Sequence, residues 1–149
     1  MSGTSLQMTF ADGPLVRHLA RLSARQEWTK ARREIGEFMV GDIQDNLDGQ
    51  RLFDGSPMPQ SKAAIKRRGK TLIKDHHLYD SYTFNLVRAG LEVGSNSVYA
   101  RIHHSGGETG RTGHRFRMQA RPVMGIAIRH ELQIGYIVTQ SIKDIENAR

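Results

Sequence analysis

Leu6, Met8 and Phe10 alternate with Gln7 and Thr9, the two-residue period of a half-buried strand, until Asp12-Gly13-Pro14 breaks it. The period then changes. Leu15, Leu19 and Leu22, followed by Trp28, Ile35, Phe38, Met39, Ile43 and Leu47, recur at helical spacing with Arg and Glu between them. This predicts a short helix capped by Asp12 and a long one, meeting near Ser23, with Asp48-Gly49 as the stop. Phe53 to Gln60 carries Gly55, Pro57 and Pro59 and reads as a loop, because proline lacks the amide that regular structure requires. Ser61 to Lys74 is basic and weakly helical. Gly69 argues against one continuous helix there, since a mid-helix glycine costs about 1 kcal/mol relative to alanine.

Further on, Tyr82, Phe84 and Leu86 alternate with Thr83, Asn85 and Val87, Ala89-Gly90 turns the chain, and Leu91 to Val93 leads to Gly94-Ser95-Asn96. That is a hairpin signal, and these strands are expected to form the main sheet. Val98 to His103 fits either a strand or one helical turn. Gly106 to Gly113, rich in Gly and Thr, reads as a flexible loop that orders against a neighbour. Ile128, Leu132, Tyr136, Ile142 and Ile145 fit one face of a C-terminal helix.

These elements predict an α+β fold, a small and mainly antiparallel sheet packed against a long N-terminal helix and a C-terminal helix, with long extended loops. A chain of 149 residues suits a single domain over 1–149, because a second unit would lack a core. No apolar stretch reaches the ~18 residues that suggest a membrane span. No charged segment followed by an apolar run opens the sequence, so synthesis in the cytosol is expected.

Charge sharpens the picture. The chain has 22 Lys and Arg against 15 Asp and Glu, a net charge of +7, which favours a polyanion or an acidic surface as neighbour. The excess is concentrated. Between Gln60 and Lys74 lie Lys62, Lys66, Arg67, Arg68, Lys70 and Lys74 without an acid, and between Thr109 and Arg129 lie Arg111, Arg115, Arg117, Arg121 and Arg129, again without one. The first six are candidates for meeting DNA or a protein partner; a solvated loop is the plainer alternative.

Catalytic chemistry is harder to find. With no cysteine there is no disulfide, thiolate zinc site or cysteine nucleophile. The pairs His76-His77 and His103-His104 do not suit chelation, because adjacent side chains on a strand point to opposite faces and no HExxH or HxH is present. His104 beside Ser105 lacks the surroundings of a nucleophile elbow, and no phosphate-binding glycine loop occurs. The expectation is no catalytic residue, no metal and no cofactor, hence not an enzyme.

One ordered set of segments carries more. Val93-Gly94-Ser95-Asn96, Tyr99-Ala100, Ile102-His103 and Gly106-Gly107 are followed, after a polar gap, by Ala120-Arg121-Pro122 and Gly125. Upstream stand Asp54-Gly55 with Met58-Pro59, and Leu72-Ile73 with Leu78 and Ser81. In this order they resemble the phage virion morphogenesis family, the tail completion proteins of Mu-like and related long-tailed phages. Met58 replaces the family's usual Trp, and His76-His77 stand where Thr-Gly is usual.

The resemblance implies a structural virion protein that completes the tail and mediates head–tail joining, as a ring of subunits, by analogy six, at the neck or tail terminus. Its implied partners are further copies of itself, the tail tube, the head–tail connector and genomic DNA passing through the lumen. No membrane partner is implied. It would act in the virion after assembly in the host cytoplasm, with the segments 53–74 and 104–121 reaching its neighbours. Gly94, Tyr99, His103, Gly106, Gly107, Arg121 and Pro122 would be structural positions of the motif. His103 is expected to bond to backbone at the 105–107 turn, and Arg121, held extended by Pro122, to tie its loop to the sheet or to the next subunit. The alternative is a sequence-independent nucleic-acid-binding module.

Overall fold

The computed structural model describes residues 17, 18, 20, 27–88 and 90–148. The strand expected at Leu6, Met8 and Phe10, the Asp12 cap, and Leu15, Leu19, Leu22 and Ser23 lie outside them. The rest is α+β, as the pattern predicts. A long helix α1 (Glu27–Asp48) is followed by α2 (Lys62–Arg67), α3 (His77–Asp80), strands β1 (Tyr82–Val87) and β2 (Gly90–Ser95), α4 (Ala100–Ser105), β3 (Gly107–Thr109), β4 (Phe116–Met118) and α5 (Ile128–Asn147).

α1 is the spine. Ala31, Met39, Ile43 and Leu47 are buried along one side, four residues or a multiple of four apart. Ile43 and Leu47 enter the core with Met58 from the loop, Ile73, Tyr82 of β1 and Val123. Half of that core therefore comes from irregular segments. Met58 is one of its plugs at 5% exposure. The antiparallel pair β1–β2, with Tyr82 opposite Ser95 and Val87 opposite Gly90, lies against α1. Gly36 permits that approach: a Cβ there would overlap the Phe84 ring. α5 packs on α1 as well.

Three details depart from the sequence pattern. The expected sheet is two separate two-stranded pieces. The stretch from Gly106 to Gly113, expected as a flexible loop that orders against a neighbour, supplies β3, whose Gly107, Glu108 and Thr109 pair with Met118, Arg117 and Phe116. In α5 the buried positions are His130, Ile137, Ser141 and Ile145, whereas Ile128, Leu132 and Tyr136 are 70%, 69% and 60% exposed. The apolar stripe chosen as the inner face is, in its first half, the outer one.

The helix stops are also instructive. α1 ends at Asp48, with Arg51 N–H donating to Asn46 O (2.8 Å) and Gln50 N–H to Leu47 O (3.2 Å), a Schellman arrangement. The left-handed residue is Gln50 (φ 52°), not the adjacent Gly49. Gln50 holds that geometry through its amide, which donates to Leu47 O and Thr71 O and accepts from Thr71 N–H at 2.6 Å. α2 repeats the device with Arg68 (φ 53°) in place of Gly69.

Candidate functional site

Two acid-free segments far apart in sequence form the walls of one cavity. It has a volume of about 700 Å³ and is lined by Lys62, Arg67 and Lys74 on one side and Arg117 and Arg121 on the other, with no carboxylate among the described lining residues. Leu72, Phe116 and Met118 supply its apolar surface.

Each wall is fixed by its local sequence. On the first, Ser61 caps α2, its hydroxyl accepting from Ala64 N–H at 3.1 Å, while its own N–H donates to Thr71 Oγ1 (3.1 Å). α2 is thereby tied to the returning strand of loop. The Arg67 guanidinium donates to Lys70 O and, at 3.0 Å, to Ile73 O, closing the 67–73 turn. Leu72 takes a left-handed φ of 64°, a strained backbone for a bulky side chain.

The second wall depends on the motif. Gly106 (φ 66°) and Gly107 (φ 122°) join α4 to β3 in a conformation that favours glycine. A Cβ on Gly106 would lie 2.7 Å from both Met118 O and Ala120 N, so residues 118–120 can approach only because position 106 is bare. Arg121 N–H donates to His103 O at 2.8 Å, and the Phe53 N–H to Pro122 O at 3.0 Å.

Arg121 connects the walls. It is 6% exposed, and its guanidinium donates to Pro59 O (2.6 Å), Gln119 O (3.2 Å) and Gln60 O (3.4 Å). Within the chain it ties its loop to the 59–60 segment, where the expectation was the sheet or the next subunit. Carbonyl partners leave its charge uncompensated. Burial pulls the guanidinium down from its ordinary value, although arginine stays protonated in proteins.

His103 differs from expectation. Its Nδ1 is buried and has no hydrogen-bond partner, so the bond to the 105–107 turn is absent. Burial, and then the neighbouring Arg121, hold the imidazole below its usual value and hence neutral at pH 7. Tyr99 is 66% exposed and so is not a packing residue within this subunit. Gly94 sits on β2 opposite Thr83 with open space where a Cβ would point.

Of the candidate cations, Lys66 and Arg68 are exposed and outside the cavity lining, Lys70 pairs with Asp48 at 3.3 Å, and Lys74, though at the cavity, pairs with Asp75 at 3.8 Å. Arg129 is committed elsewhere. It donates to both Asp42 oxygens and to Phe53 O at 3.1 Å, inside a network that pattern reading missed. In that network His130, fully buried, accepts from Ala127 N–H at Nδ1 (2.9 Å) and meets Asp42 Oδ2 from Nε2 (2.8 Å). Asn46 Nδ2 donates to Asp42 Oδ2 and Val123 O, both at 3.1 Å. Both His130 nitrogens are engaged, which leaves that ring no free nitrogen to act as a base. The only advance signal was the pairing of two polar residues with apolar helix faces.

Among the described residues no group of three His, Asp or Glu side chains is placed to hold a metal, and no helix is long and apolar enough to cross a membrane.

A small α+β protein with a cationic cavity and an apolar outer helix face is suited to contact with other macromolecules. The family model described as the phage virion morphogenesis family matches residues 12–143, nearly the whole chain, and the protein belongs to that family. Its role is thus in building the phage particle. No curated protein and no solved structure matches the chain significantly.

Proposed function

We propose that the protein completes the phage tail and mediates head–tail joining as a ring subunit at the neck or tail terminus, with six copies by analogy to tail terminators. The observation that carries this reading, beside family membership, is the outer face of α5. Ile128, Leu132 and Tyr136, four residues apart, form an apolar stripe on the side turned away from α1. Exposed apolar patches of this kind mark protein–protein contacts. Heterologous contacts between identical subunits close into rings when the rotation per subunit allows it.

The test is direct. Leu132→Asp with Tyr136→Asp should leave a folded subunit that no longer assembles, and lysates of phage carrying the double change should contain separate heads and tails in negative-stain images. Joined, infectious particles from the double mutant would remove the stripe from the assembly contact. A second reading, a sequence-independent nucleic-acid-binding module, is favoured by the cationic cavity.

A further inference from the structure

We propose that the cavity between the 60–74 and 116–121 segments is a binding site for single-stranded polynucleotide, with Lys62 and Arg117 meeting phosphates and Phe116 stacking on a base. The inference stands independently of ring formation and tail joining.

Charge is the first argument. Arg67 and Arg121 are held by backbone carbonyls alone, so the cavity has two fixed positive groups without a carboxylate to offset them. Arg121 is buried, and taking a cation out of water without an opposite charge is unfavourable, so an anion in the cavity relieves that penalty; Arg67 is exposed and stays hydrated. Lys62 adds charge from the first wall and Arg117 from the second, where Glu108 stands opposite it across the β3–β4 pair; Lys74 is paired with Asp75 at 3.8 Å. An acid-free run in each wall suits a polymer with one negative charge per unit.

Shape and the aromatic residue decide the kind of polymer. A cavity of about 700 Å³ lies in the range of small-ligand clefts, which accept one or two nucleotide units. A duplex keeps its base faces stacked inside and presents a convex backbone, so it can only lie across the mouth. Phe116, 56% exposed, lines the cavity with Met118 from the same face of β4, and Arg117 between them leaves from the other face. An exposed ring among cations is the arrangement that binds unpaired bases, because every base has a face to stack whatever its sequence. Leu72 and Met118 extend the apolar surface beneath it.

The experiment uses the full chain and fluorescence anisotropy with labelled oligothymidine, a duplex of the same length, and polyglutamate as competitor, over a range of salt. The single strand should bind more tightly than the duplex and independently of polyglutamate at matched charge. Phe116→Ser should weaken single-strand binding about five- to a hundred-fold with little change for the duplex. Lys62→Gln with Arg117→Gln should reduce the slope of log affinity against log salt by about 1.4, two phosphate contacts at ~0.7 each. Thermal melting of each variant separates lost binding from lost fold. No binding at low salt, duplex binding as tight as single strand, or an unaffected Phe116→Ser variant would overturn the proposal. Displacement by polyglutamate at matched charge would also overturn it, in favour of an acidic protein segment. None of these results bears on particle assembly by the α5 stripe.

Discussion

His130 Nε2 on α5 lies 2.8 Å from Asp42 Oδ2 on α1, and this contact fixes both the tautomer of the imidazole and the docking of the two long helices. Because Nδ1 accepts from Ala127 N–H, the ring proton must reside on Nε2 and point at the carboxylate. Arg129 binds the same carboxylate from the preceding residue. Deleting a buried hydrogen bond to a charged group costs about 1.5–3 kcal/mol, while Arg129 keeps Asp42 paired. His130→Ala should therefore lower the urea midpoint strongly, whereas Glu131→Ala, at an exposed neighbour, should leave it nearly unchanged.

Acid should remove the contribution of Asp42. Burial alone would raise its carboxyl, but the bonds from Arg129 and His130 outweigh that and hold it below the ordinary 3.8. A depressed folded value means that the stabilisation is fully present above the unfolded value and is lost as pH falls through the folded one. The stability gap between wild type and Asp42→Asn, followed by denaturant titration, should be constant near neutrality and shrink below the ordinary carboxylate range. A gap that widens with acid would reverse the assignment.

Arg121→Ala should destabilise by about 2–4 kcal/mol, since it strips three backbone carbonyls of their donor in a buried setting. Arg121→Lys should recover only part of this, because an ammonium cannot reproduce a planar fork. Arg115→Ala, on the exposed turn between β3 and β4, should stay within ~0.5 kcal/mol of wild type. Thermal melts of the three variants give the ranking.

Gly36 offers a test whose sign depends on a second site. Alanine favours a helix interior by about 1 kcal/mol over glycine, yet its Cβ would overlap Phe84, an overpacking that costs about 1–3 kcal/mol. Gly36→Ala should thus be net destabilising in wild type and stabilising in a Phe84→Ala background. A double-mutant cycle on denaturant midpoints measures the crossover.

Arg68→Gly should raise stability by about 0.5–1 kcal/mol, because position 68 is left-handed and glycine adopts that conformation without a Cβ penalty. Gly69→Ala should change little, having no positive φ and only the Arg67 side chain near its Cβ. Melting temperatures that respond to 69 and not to 68 would contradict the observed cap.

The elements were legible where local pattern and packing agree. Met39, Ile43 and Leu47 repeat at helical spacing and are buried, and Tyr82 to Val87 alternates and pairs with Gly90 to Ser95. Reading failed where a polar residue owns a buried position. His130 and Ser141 lie on the inner face of α5 because each finds a partner there, Asp42 for one and Ile137 O for the other at 3.0 Å. Periodicity then favoured Ile128, Leu132 and Tyr136, which satisfy the same spacing on the opposite side. A hydropathy pattern records which residues are apolar and not which polar ones will be satisfied.

The sequence by itself determined the α+β class, the positions of the long helices and the first hairpin, the positive charge and its two acid-free runs, because these follow from local periodicity and composition. It also carried the ordered motif that marks the family. Only the tertiary structure decided that the two runs face each other across one cavity, that Arg121 joins them through backbone carbonyls, that Arg129 is withdrawn to Asp42, and that an apolar stripe of α5 faces outward. These are contacts between residues about 60 to 90 positions apart. Their partners are set by chain path and hydrogen-bond satisfaction, which no local repeat encodes.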